Sequence, residues 1–408
     1  MSDLFKKLQS MGLKIDKGSN IISKPGKGTS IDQVIKGEWI ESRGEKVFLV
    51  KESYPFGSAH GNVVFEKDIL FGSIAQFWGI DHLETMNLKD FLFLDTETSG
   101  LSLGAGTIIF LFGCCFFSDN GLEVIQFFLE DPASEMIFLA NIDELIQRHK
   151  CLVSYNGKSF DIPMLRTRMI LNRLPYNTLA KPHLDLLHFA RSLWKRRLES
   201  RRLSDIEKEI LAFQRTGEEV PGWLVPQLYQ DYLSTGDAAP LEGVFYHNRN
   251  DVVSLAALFS HVTNLVSEKS ALESANSLDI ISIGSIYQKS GNFTLSEGFY
   301  QHGLDRSDPS DLDNRILRDF AQLLKKQDKW MEAVELWKVA ANKDDLISCV
   351  ELAKYFEHRE IDLFSASNWV ETAISIVTRT DGTEKIMSEL NQRKTRLESK
   401  IQSSYEKR

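Results

Sequence analysis

The sequence lacks the features that mark disulfide-rich, zinc-binding and membrane proteins. Its four cysteines, Cys114, Cys115, Cys151 and Cys349, form no C-x-x-C pair, so we expect small buried thiols in a reducing compartment. No apolar run approaches the roughly 20 residues that cross a bilayer. The polar N-terminus MSDLFKKLQSMGLKIDKGSN has no apolar signal-peptide core. The sequence therefore predicts a cytoplasmic protein without membrane association.

Neither glycine and proline nor charge of one sign is in large excess. The 408 residues include 25 glycines and 10 prolines, and 42% of the side chains are apolar. These values exclude collagen-like and wholly disordered chains and leave room for two or three packed cores. The 48 basic and 57 acidic residues give a net charge of −9. This balance argues against a protein that coats nucleic acid with its whole surface, but it permits a local basic groove.

The order of the patterns predicts an α/β domain with a mixed sheet flanked by helices. Residues 1–36 are typical of a flexible, basic lead-in, and residues 37–85 of one or two β-hairpins that extend the domain. Three apolar runs with short glycine-bearing connections follow, which indicates an antiparallel meander. Alternating helical and strand patterns then continue to residue 266. The three runs are FLFLDTE, TIIFLFGCCFF and EVIQFFLE.

Beyond residue 267 the patterns are helical only. Five positions recur 37 residues later with small or aromatic side chains, and a weaker echo follows after a further 33 residues. Such periods are typical of tetratricopeptide-like helical hairpins, here predicted for residues 267–378, with an irregular helical bundle as the alternative. Residues 379–408 are strongly charged and predict a capping helix or a frayed tail. The recurring positions are Tyr287, Gly291, Phe293, Ser296 and Tyr300, matched by Leu324, Asp328, Trp330, Ala333 and Trp337.

Two carboxylates stand at the end of the apolar run FLFL. Asp95 and Glu97 are i and i+2 on a predicted strand and so share a face. Like charges at this distance are costly unless a cation intervenes, and no lysine or arginine is adjacent in sequence. Mg²⁺ or Mn²⁺ would suit such oxygen ligands. The motif alone is not specific, because a second D-x-E, Asp205 and Glu207, lies in a helical pattern.

Two later segments supply further acids. Asp161 lies where the strand CLVS leads into a predicted helix, so it is either a helix cap or a metal-facing acid. His247 and Asp251 are i and i+4 in a long helical pattern, which places an imidazole and a carboxylate on one helix face. Each feature taken singly is also compatible with an ordinary surface contact. Together they give the order D-x-E, then D, then H-x-x-x-D.

This order resembles the DEDD (DnaQ-like) exonuclease superfamily, a ribonuclease-H-like fold that includes proofreading 3′–5′ exonucleases. Within that superfamily the chain is similar to the YprB-type ribonuclease-H-like family over about residues 37–266. A helical tetratricopeptide-like C-terminus is also familiar from such proteins. The resemblance rests on the six ordered segments DTETSGL, SYNGKSFDIPML, HLDLLHFARSLW, RRLSDIEKEIL, VPGWLVPQLYQDYL and HNRNDVVSLAAL.

The resemblance implies phosphodiester hydrolysis by a two-metal mechanism with Mg²⁺ or Mn²⁺. The implied metal ligands are Asp95, Glu97, Asp161 and Asp251. A histidine in this superfamily usually precedes the last aspartate by five residues and a tyrosine by four. Here His247 precedes it by four and Tyr246 by five, so the residue types are exchanged. We assign the positioning or deprotonation of water to His247, which shares a helix face with Asp251 and has a suitable base strength.

Substrate contacts are predicted in two places. Between Arg166 and Arg202 there are ten basic and two acidic residues, which indicates either a groove for a phosphate backbone or a solvated helix face. In the groove interpretation Trp194 would stack on bases, and Lys195 and Arg196 would bind phosphates. Asn156 is either a hydrogen-bond partner of the substrate or a turn former in an Asn-Gly pair, and Phe160 is part of the core or of the pocket wall.

The leading hypothesis is a metal-dependent 3′–5′ exonuclease that acts on a single-stranded end of DNA or RNA. A helical repeat module would bind a protein partner. One alternative is a non-catalytic scaffold that grips nucleic acid with a nuclease-like domain, and the exchanged histidine and tyrosine positions keep it open. Another is a protein-interaction scaffold whose main function lies in the C-terminal repeats, with the N-terminal domain as a support. No motif distinguishes DNA from RNA.

Overall fold

The computed structural model describes residues 28–42, 44–67, 75–79, 85–100, 104–217, 220–267, 269–380 and 383–406. Most of the predicted lead-in, residues 1–27, lies outside these ranges. The described strands are β1 (Glu38–Ser42), β2 (Glu45–Pro55), β3 (Ala59–His60), β4 (Val63–Val64), β5 (Phe91–Thr98), β6 (Ile109–Phe117), β7 (Gly121–Phe128), β8 (Cys151–Ser154) and β9 (His183–Asp185).

The described α-helices cover most of the chain after β8. They are α1 (Ile31–Val34), α2 (Ala75–Trp78), α3 (Glu135–Gln147), α4 (Asp161–Leu171), α5 (Leu186–Leu193), α6 (Leu203–Glu209), α7 (Val225–Thr235), α8 (Glu242–Ser267), α9 (Lys269–Ser274), α10 (Ser277–Lys289), α11 (Phe293–Leu304), α12 (Asn314–Lys326), α13 (Trp330–Ala341), α14 (Leu346–His358), α15 (Leu363–Arg379) and α16 (Glu384–Glu406). None of the helices in these described ranges is long and apolar enough to span a membrane.

The predicted meander is confirmed as β5, β6 and β7, which pair antiparallel in sequence order. Strands β8 and β9 add parallel to the other side of β5, and the hairpin β1–β2 extends the opposite edge through β7. The seven strands follow the order β1-β2-β7-β6-β5-β8-β9. The result is the predicted mixed sheet, in which the interior strand β5 carries Asp95 and Glu97 near its end.

Both faces of the sheet are buried, because alternate side chains of each strand enter different cores. On β5, Phe91 and Phe93 pack with residues of α5 and α8, whereas Leu92 and Leu94 pack with residues of α3, α4 and α7. The neighbouring cysteines of β6 divide in the same way, Cys115 to the first core and Cys114 to the second. All four cysteines are buried and unpaired, as predicted.

The helices after α9 pack as three consecutive pairs, α10 with α11, α12 with α13, and α14 with α15. The turn inside each pair contains one residue with a left-handed backbone: Gly291 (φ 83°), Asp328 (φ 61°) and Ile361 (φ 57°). These residues follow the spacing of the sequence pattern, and the matched positions Tyr300 and Trp337 are buried. The region is therefore built from repeating helical hairpins. Its assignment to the tetratricopeptide type stays a prediction.

Replacing Ile361 with glycine is expected to stabilise the protein by about 1 kcal/mol, because a β-branched side chain in the left-handed region costs roughly 1–2 kcal/mol. Ile361 is 75% exposed, so little apolar burial is lost. Chemical denaturation measures the change. Gly291→Ala tests the same effect in the opposite direction. A Cβ at this position meets nothing within 4 Å, so a loss of about 1 kcal/mol in the free energy of unfolding would be due to strain in the left-handed backbone. Equal stability of all three proteins would contradict the strain argument.

The helical region is docked onto the α/β domain. Ile280, Ile283 and Tyr287 of α10 belong to the same core as Phe91 and Phe93. At the margin of this contact Arg197 pairs with Asp279 at 3.1 Å. The two regions therefore share a hydrophobic core.

The charged C-terminal segment forms a helix over Glu384–Glu406 and not a frayed tail. The carboxylate of Glu357 is buried and contacts Arg393 at 2.9 Å, Arg396 at 2.8 Å and Lys400 at 2.8 Å. Burial alone would raise the pKa of Glu357, but hydrogen bonds from Lys400 and Arg396 hold it below its ordinary value. Helix α16 is thus fixed to α14 by one carboxylate and three cations.

Candidate active site

The first two acids stand where β5 leaves the core. Phe91 to Leu94 are fully buried, and the following residues Asp95 and Glu97 are partly buried. Asp95 lies opposite Gly113 of β6 and accepts a hydrogen bond from Asn248 Nδ2 at 2.9 Å. Gln126 Nε2 in turn donates to Asn248 Oδ1 at 2.9 Å. A chain of side-chain amides from β7 and α8 therefore fixes the orientation of Asp95.

The third acid is the first residue of α4. Asp161 is 7% exposed, and its Oδ1 accepts a hydrogen bond from Thr96 Oγ1 at 2.6 Å. Thr96 lies between Asp95 and Glu97 on β5, so this bond ties the start of α4 to the strand that bears the other acids. The adjacent turn is held by Asp185, which accepts from the backbone N–H of Asn156 at 2.8 Å and caps α5.

The four acids perturb one another. Burial raises the pKa of Asp95 well above its ordinary value, and the charges of Asp251, Asp161 and Glu97 raise it further. Burial, followed by Asp251 and Asp161, likewise raises the pKa of Glu97. Burial raises the pKa of Asp161 to about 6, against the hydrogen bond from Thr96. The structure thus brings together the carboxylates predicted from three distant segments, and for Asp95 and Glu97 burial and like charge outweigh the contacts that favour the ionised form.

His247 and Asp251 share a face of α8, as their spacing predicted. His247 Nε2 lies 3.5 Å from Asp251 Oδ2. Nδ1 of the same ring lies 2.9 Å from Nη1 of Arg215. A guanidinium only donates hydrogen bonds, so Nδ1 carries no proton in this arrangement. Tyr246 points elsewhere: its hydroxyl accepts from the backbone N–H groups of Thr216 at 2.9 Å and Gly217 at 3.1 Å.

Sequence reasoning missed Arg215. Its guanidinium contacts Asp251 directly and forms a two-pronged ion pair with Glu207, Nε to Oε2 at 2.8 Å and Nη2 to Oε1 at 2.7 Å. Glu207 belongs to the second D-x-E, which sequence reasoning used only as an example of a nonspecific motif. Nothing local marked either residue, because the pair joins α6 to a loop without regular structure between α6 and α7.

The four carboxylates are chemically suitable ligands for a divalent cation, but their side chains are not arranged to coordinate one. The four carboxylates supply the hard oxygen ligands that Mg²⁺ and Mn²⁺ prefer, and burial together with neighbouring negative charge raises the pKa of Asp95 and Glu97. Within the part of the chain that the structure describes, however, no three or more His, Cys, Asp or Glu side chains are arranged to hold a metal ion. Arg215, Thr96 and Asn248 already donate to three of the four carboxylates.

Two predicted substrate contacts are wrong. Trp194 is fully buried in the core beneath α5 and α8, so its ring cannot stack on a base. Arg196 is turned toward the helical region, where it contacts Ser282 at 3.3 Å and Asp319 at 3.5 Å. The physical reason is the same for both: α10 and α12 cover the segment that sequence reasoning placed in an open groove. Lys195 is exposed, and its role stays a prediction.

Other arginines of the basic segment face solvent. Arg191, Arg201 and Arg202 line a cavity of about 530 Å³ together with Tyr155 and Asn156. Arg201 donates to the carbonyl oxygens of Leu198 and Glu199 at 2.9 and 2.8 Å, and the exposed Glu199 is the acidic member of the lining.

The cavity adjoins the turn that leads to Asp161. Asn156 has a left-handed backbone (φ 69°), which supports its role as a turn former, and its contact with substrate stays a prediction. Phe160, directly before Asp161, is 52% exposed, so it is not part of the core and is available to a ligand.

The fold and the acids define a class of protein, and comparison with known sequences agrees. A family model described as the RNase H superfamily matches residues 92–263. The uncharacterised protein YprB of Bacillus subtilis (strain 168) is 30% identical over 426 residues, which covers 97% of this chain and 99% of YprB. The chain therefore carries a domain of the RNase H superfamily. It belongs to the same family as YprB.

Two solved structures resemble part of the chain. The family B DNA polymerase of the archaeon Pyrobaculum calidifontis is 15% identical with a TM-score of 0.34, over 49% of this chain and 29% of the polymerase. Exonuclease I of E. coli, solved with an oligonucleotide, is 15% identical with a TM-score of 0.30, over 45% of this chain and 42% of the exonuclease. The chain thus spans less than half of either protein, and at these TM-scores the likeness adds nothing to the argument about the site.

Proposed function

We propose that the protein is a metal-dependent nuclease that hydrolyses phosphodiester bonds as a 3′–5′ exonuclease on single-stranded ends. The observation that carries the proposal is the convergence of Asp95, Glu97, Asp161 and Asp251 at the end of β5, an interior strand of an RNase H-like sheet, with raised pKa values of the first three. Buried carboxylates that repel one another are retained at a cost in stability, which is typical of sites that bind cations.

Mg²⁺ or Mn²⁺ bound to these four carboxylates would supply an acidified water and charge stabilisation for phosphoryl transfer. The protein itself orients the carboxylates and supplies a base. Asn248 aims Asp95 through a hydrogen bond of 2.9 Å, and Thr96 aims Asp161. His247, beside Asp251, is the residue to position the attacking water and accept its proton. Tyr246 is directed away from Asp251 toward the backbone of Thr216 and Gly217, which supports the choice of His247.

Nucleic acid is the proposed substrate because of the arginine-lined cavity beside the Asn156 turn. Three guanidinium groups next to an acidic centre suit phosphates that lead a strand toward the carboxylates. The exposed Phe160 would stack on a base near Asp161. The helical region is proposed to bind a protein partner, which is supported by exposed apolar side chains such as Met331 and Phe364.

Purified protein should shorten end-labelled single-stranded DNA or RNA from the 3′ end in Mg²⁺ or Mn²⁺. The double variant Asp95→Ala, Glu97→Ala should lack this activity while it keeps the fold, which circular dichroism checks. A nucleotide ladder from the wild type alone supports the proposal. Equal cleavage by both proteins would reject it, since the acids would then play no part.

A non-catalytic nucleic-acid scaffold is the second candidate function. The contact of Arg215 with Asp251 favours it, since an arginine can neutralise an acidic cluster permanently. The same assay separates the two: strand binding without cleavage by both proteins would identify the scaffold.

A further inference from the structure

Arg215 contacts the acidic cluster through Asp251. Its side chain is 7% exposed, and it contacts Asp251, Glu207 and His247 at once. Asp251 is one of the four proposed metal ligands, whereas Glu207, which is 2% exposed and is bound by the same nitrogen of Arg215, is not one of them. The guanidinium is therefore shared between a carboxylate that belongs to the site and one that does not.

Glu207 is a rigid anchor for this arginine. Besides its two bonds to Arg215, its Oε1 accepts a hydrogen bond from Ser254 Oγ at 2.6 Å. Ser254 Oγ also lies 2.8 Å from His60 Nε2, and the ring of His60 stacks on Phe213 at 3.8 Å. Burial, followed by the charge of Arg215, lowers the pKa of His60 to about 4, so this histidine adds no charge to the anchor at neutral pH.

We propose that Arg215 is an internal cation that competes with divalent metal ions for Asp251, and that Glu207 limits this competition by holding the same guanidinium. The inference rests on the proposed function, because it assumes that Asp251 is a metal ligand. A cation already in contact with Asp251 repels a second one and occupies one carboxylate oxygen. The affinity of the site for metal then depends on how strongly the Arg215 guanidinium binds Asp251 relative to Glu207.

A small side-chain movement suffices for the exchange. The backbone that follows Arg215 is held by Tyr246, whose hydroxyl accepts from the N–H groups of Thr216 and Gly217. The guanidinium can thus withdraw toward Glu207 without movement of the loop. Withdrawal would also break the hydrogen bond from Arg215 to Nδ1 of His247. Replacement of the guanidinium by a metal ion at Asp251 would therefore also free this nitrogen to accept a proton.

The test is Mn²⁺ binding to the full chain without nucleic acid, measured by isothermal titration calorimetry. Arg215→Gln removes the competitor and is expected to tighten Mn²⁺ binding by about fivefold or more. Glu207→Gln leaves the guanidinium to Asp251 alone and is expected to weaken binding by about the same factor. Arg249→Gln is the matched control: this arginine of α8 is paired with Glu52 at 2.9 Å, so the same loss of charge should change the affinity by less than about twofold.

Arg215→Gln and Glu207→Gln each leave the other member of the buried ion pair without its partner charge, which can lower the stability of the protein. The double variant Glu207→Gln, Arg215→Gln keeps the shape of the pair without charge, and it is expected to bind Mn²⁺ more tightly than the wild type. Thermal melting confirms folding before titration. Weaker binding by the double variant would overturn the proposal and make Arg215 a residue that positions Asp251.

The failure of this inference is distinguishable from the failure of the proposed function. If the wild type neither binds Mn²⁺ nor cleaves nucleic acid, the nuclease proposal fails. If the wild type binds and cleaves but the variants of Arg215 and Glu207 do not shift Mn²⁺ affinity in opposite directions, only the competition is rejected.

Discussion

Replacing Glu97 with glutamine is expected to stabilise the metal-free protein while cleavage falls by about 100-fold or more. Burial and the charges of Asp251 and Asp161 raise the pKa of Glu97 well above its ordinary value, which means that its ionised form is disfavoured in the fold. Glutamine has nearly the same shape and removes one charge from the repelling group. The melting temperature in EDTA should rise by roughly 3 °C or more, which corresponds to about 1 kcal/mol.

The gain from Glu97→Gln should depend on pH. A carboxyl whose pKa is raised by folding destabilises the folded state when it is ionised, and this penalty fades as the pH falls through the folded pKa. Asp161, with a pKa of about 6, loses its charge as the pH falls below that value and then repels Glu97 less. The difference between variant and wild type should therefore be larger at pH 8 than at pH 5. Protonation of the buried histidines changes the stability of the variant and of the wild type equally, so it does not contribute to the difference between them.

Glu144→Gln provides the control for this experiment. Glu144 is an exposed residue of α3 that pairs with Arg148 one turn away. Such a surface pair contributes roughly 0.3–0.5 kcal/mol, so its loss should lower the melting temperature slightly or leave it unchanged. A fall in melting temperature of Glu97→Gln at pH 8 in EDTA would show that the carboxylates do not repel one another, and the electrostatic basis of the site would be lost.

The fold and the acids were predictable because each depends on short-range patterns. Alternation of side chains on β5 decides that Asp95 and Glu97 leave the core together, and helical spacing places His247 beside Asp251. The apolar runs separated by glycine-bearing turns defined the meander for the same reason. These elements need no knowledge of distant residues.

The partners of the acids could not be predicted, because they are long-range contacts between unremarkable positions. Arg215 lies in a loop, and Glu207 lies in a short helix whose D-x-E pattern served only as an example of a nonspecific motif. Trp194 illustrates the opposite error. A tryptophan among basic residues suggested a stacking surface, but the helical region covers it, and only the packing of α10 against the α/β domain reveals this.

Gly113→Ala is expected to disturb the site through a residue that carries no functional group. Gly113 lies opposite Asp95 in the sheet, and a Cβ atom there would stand 2.0 Å from Oδ1 and 2.7 Å from Cγ of Asn248. Asn248 is fully buried and accepts from Gln126 at 2.9 Å, so it has little room to move. We expect a loss of about 1–3 kcal/mol in the free energy of unfolding, as for other overpacked cores.

Cleavage by Gly113→Ala should also fall by about tenfold or more, because displacement of Asn248 removes the hydrogen bond that orients Asp95. The double variant Gly113→Ala, Asn248→Ala separates the two effects. It relieves the clash and should melt above the single variant, yet it should cleave no faster, since Asp95 still lacks its donor. Gly298→Ala, where a Cβ meets nothing within 4 Å, serves as the control: it should cleave like the wild type and, because Gly298 lies inside α11, melt at the same temperature or slightly higher. Wild-type stability and cleavage of Gly113→Ala would contradict the close contact between β6 and α8, and recovery of cleavage in the double variant would show that Asn248 does not orient Asp95.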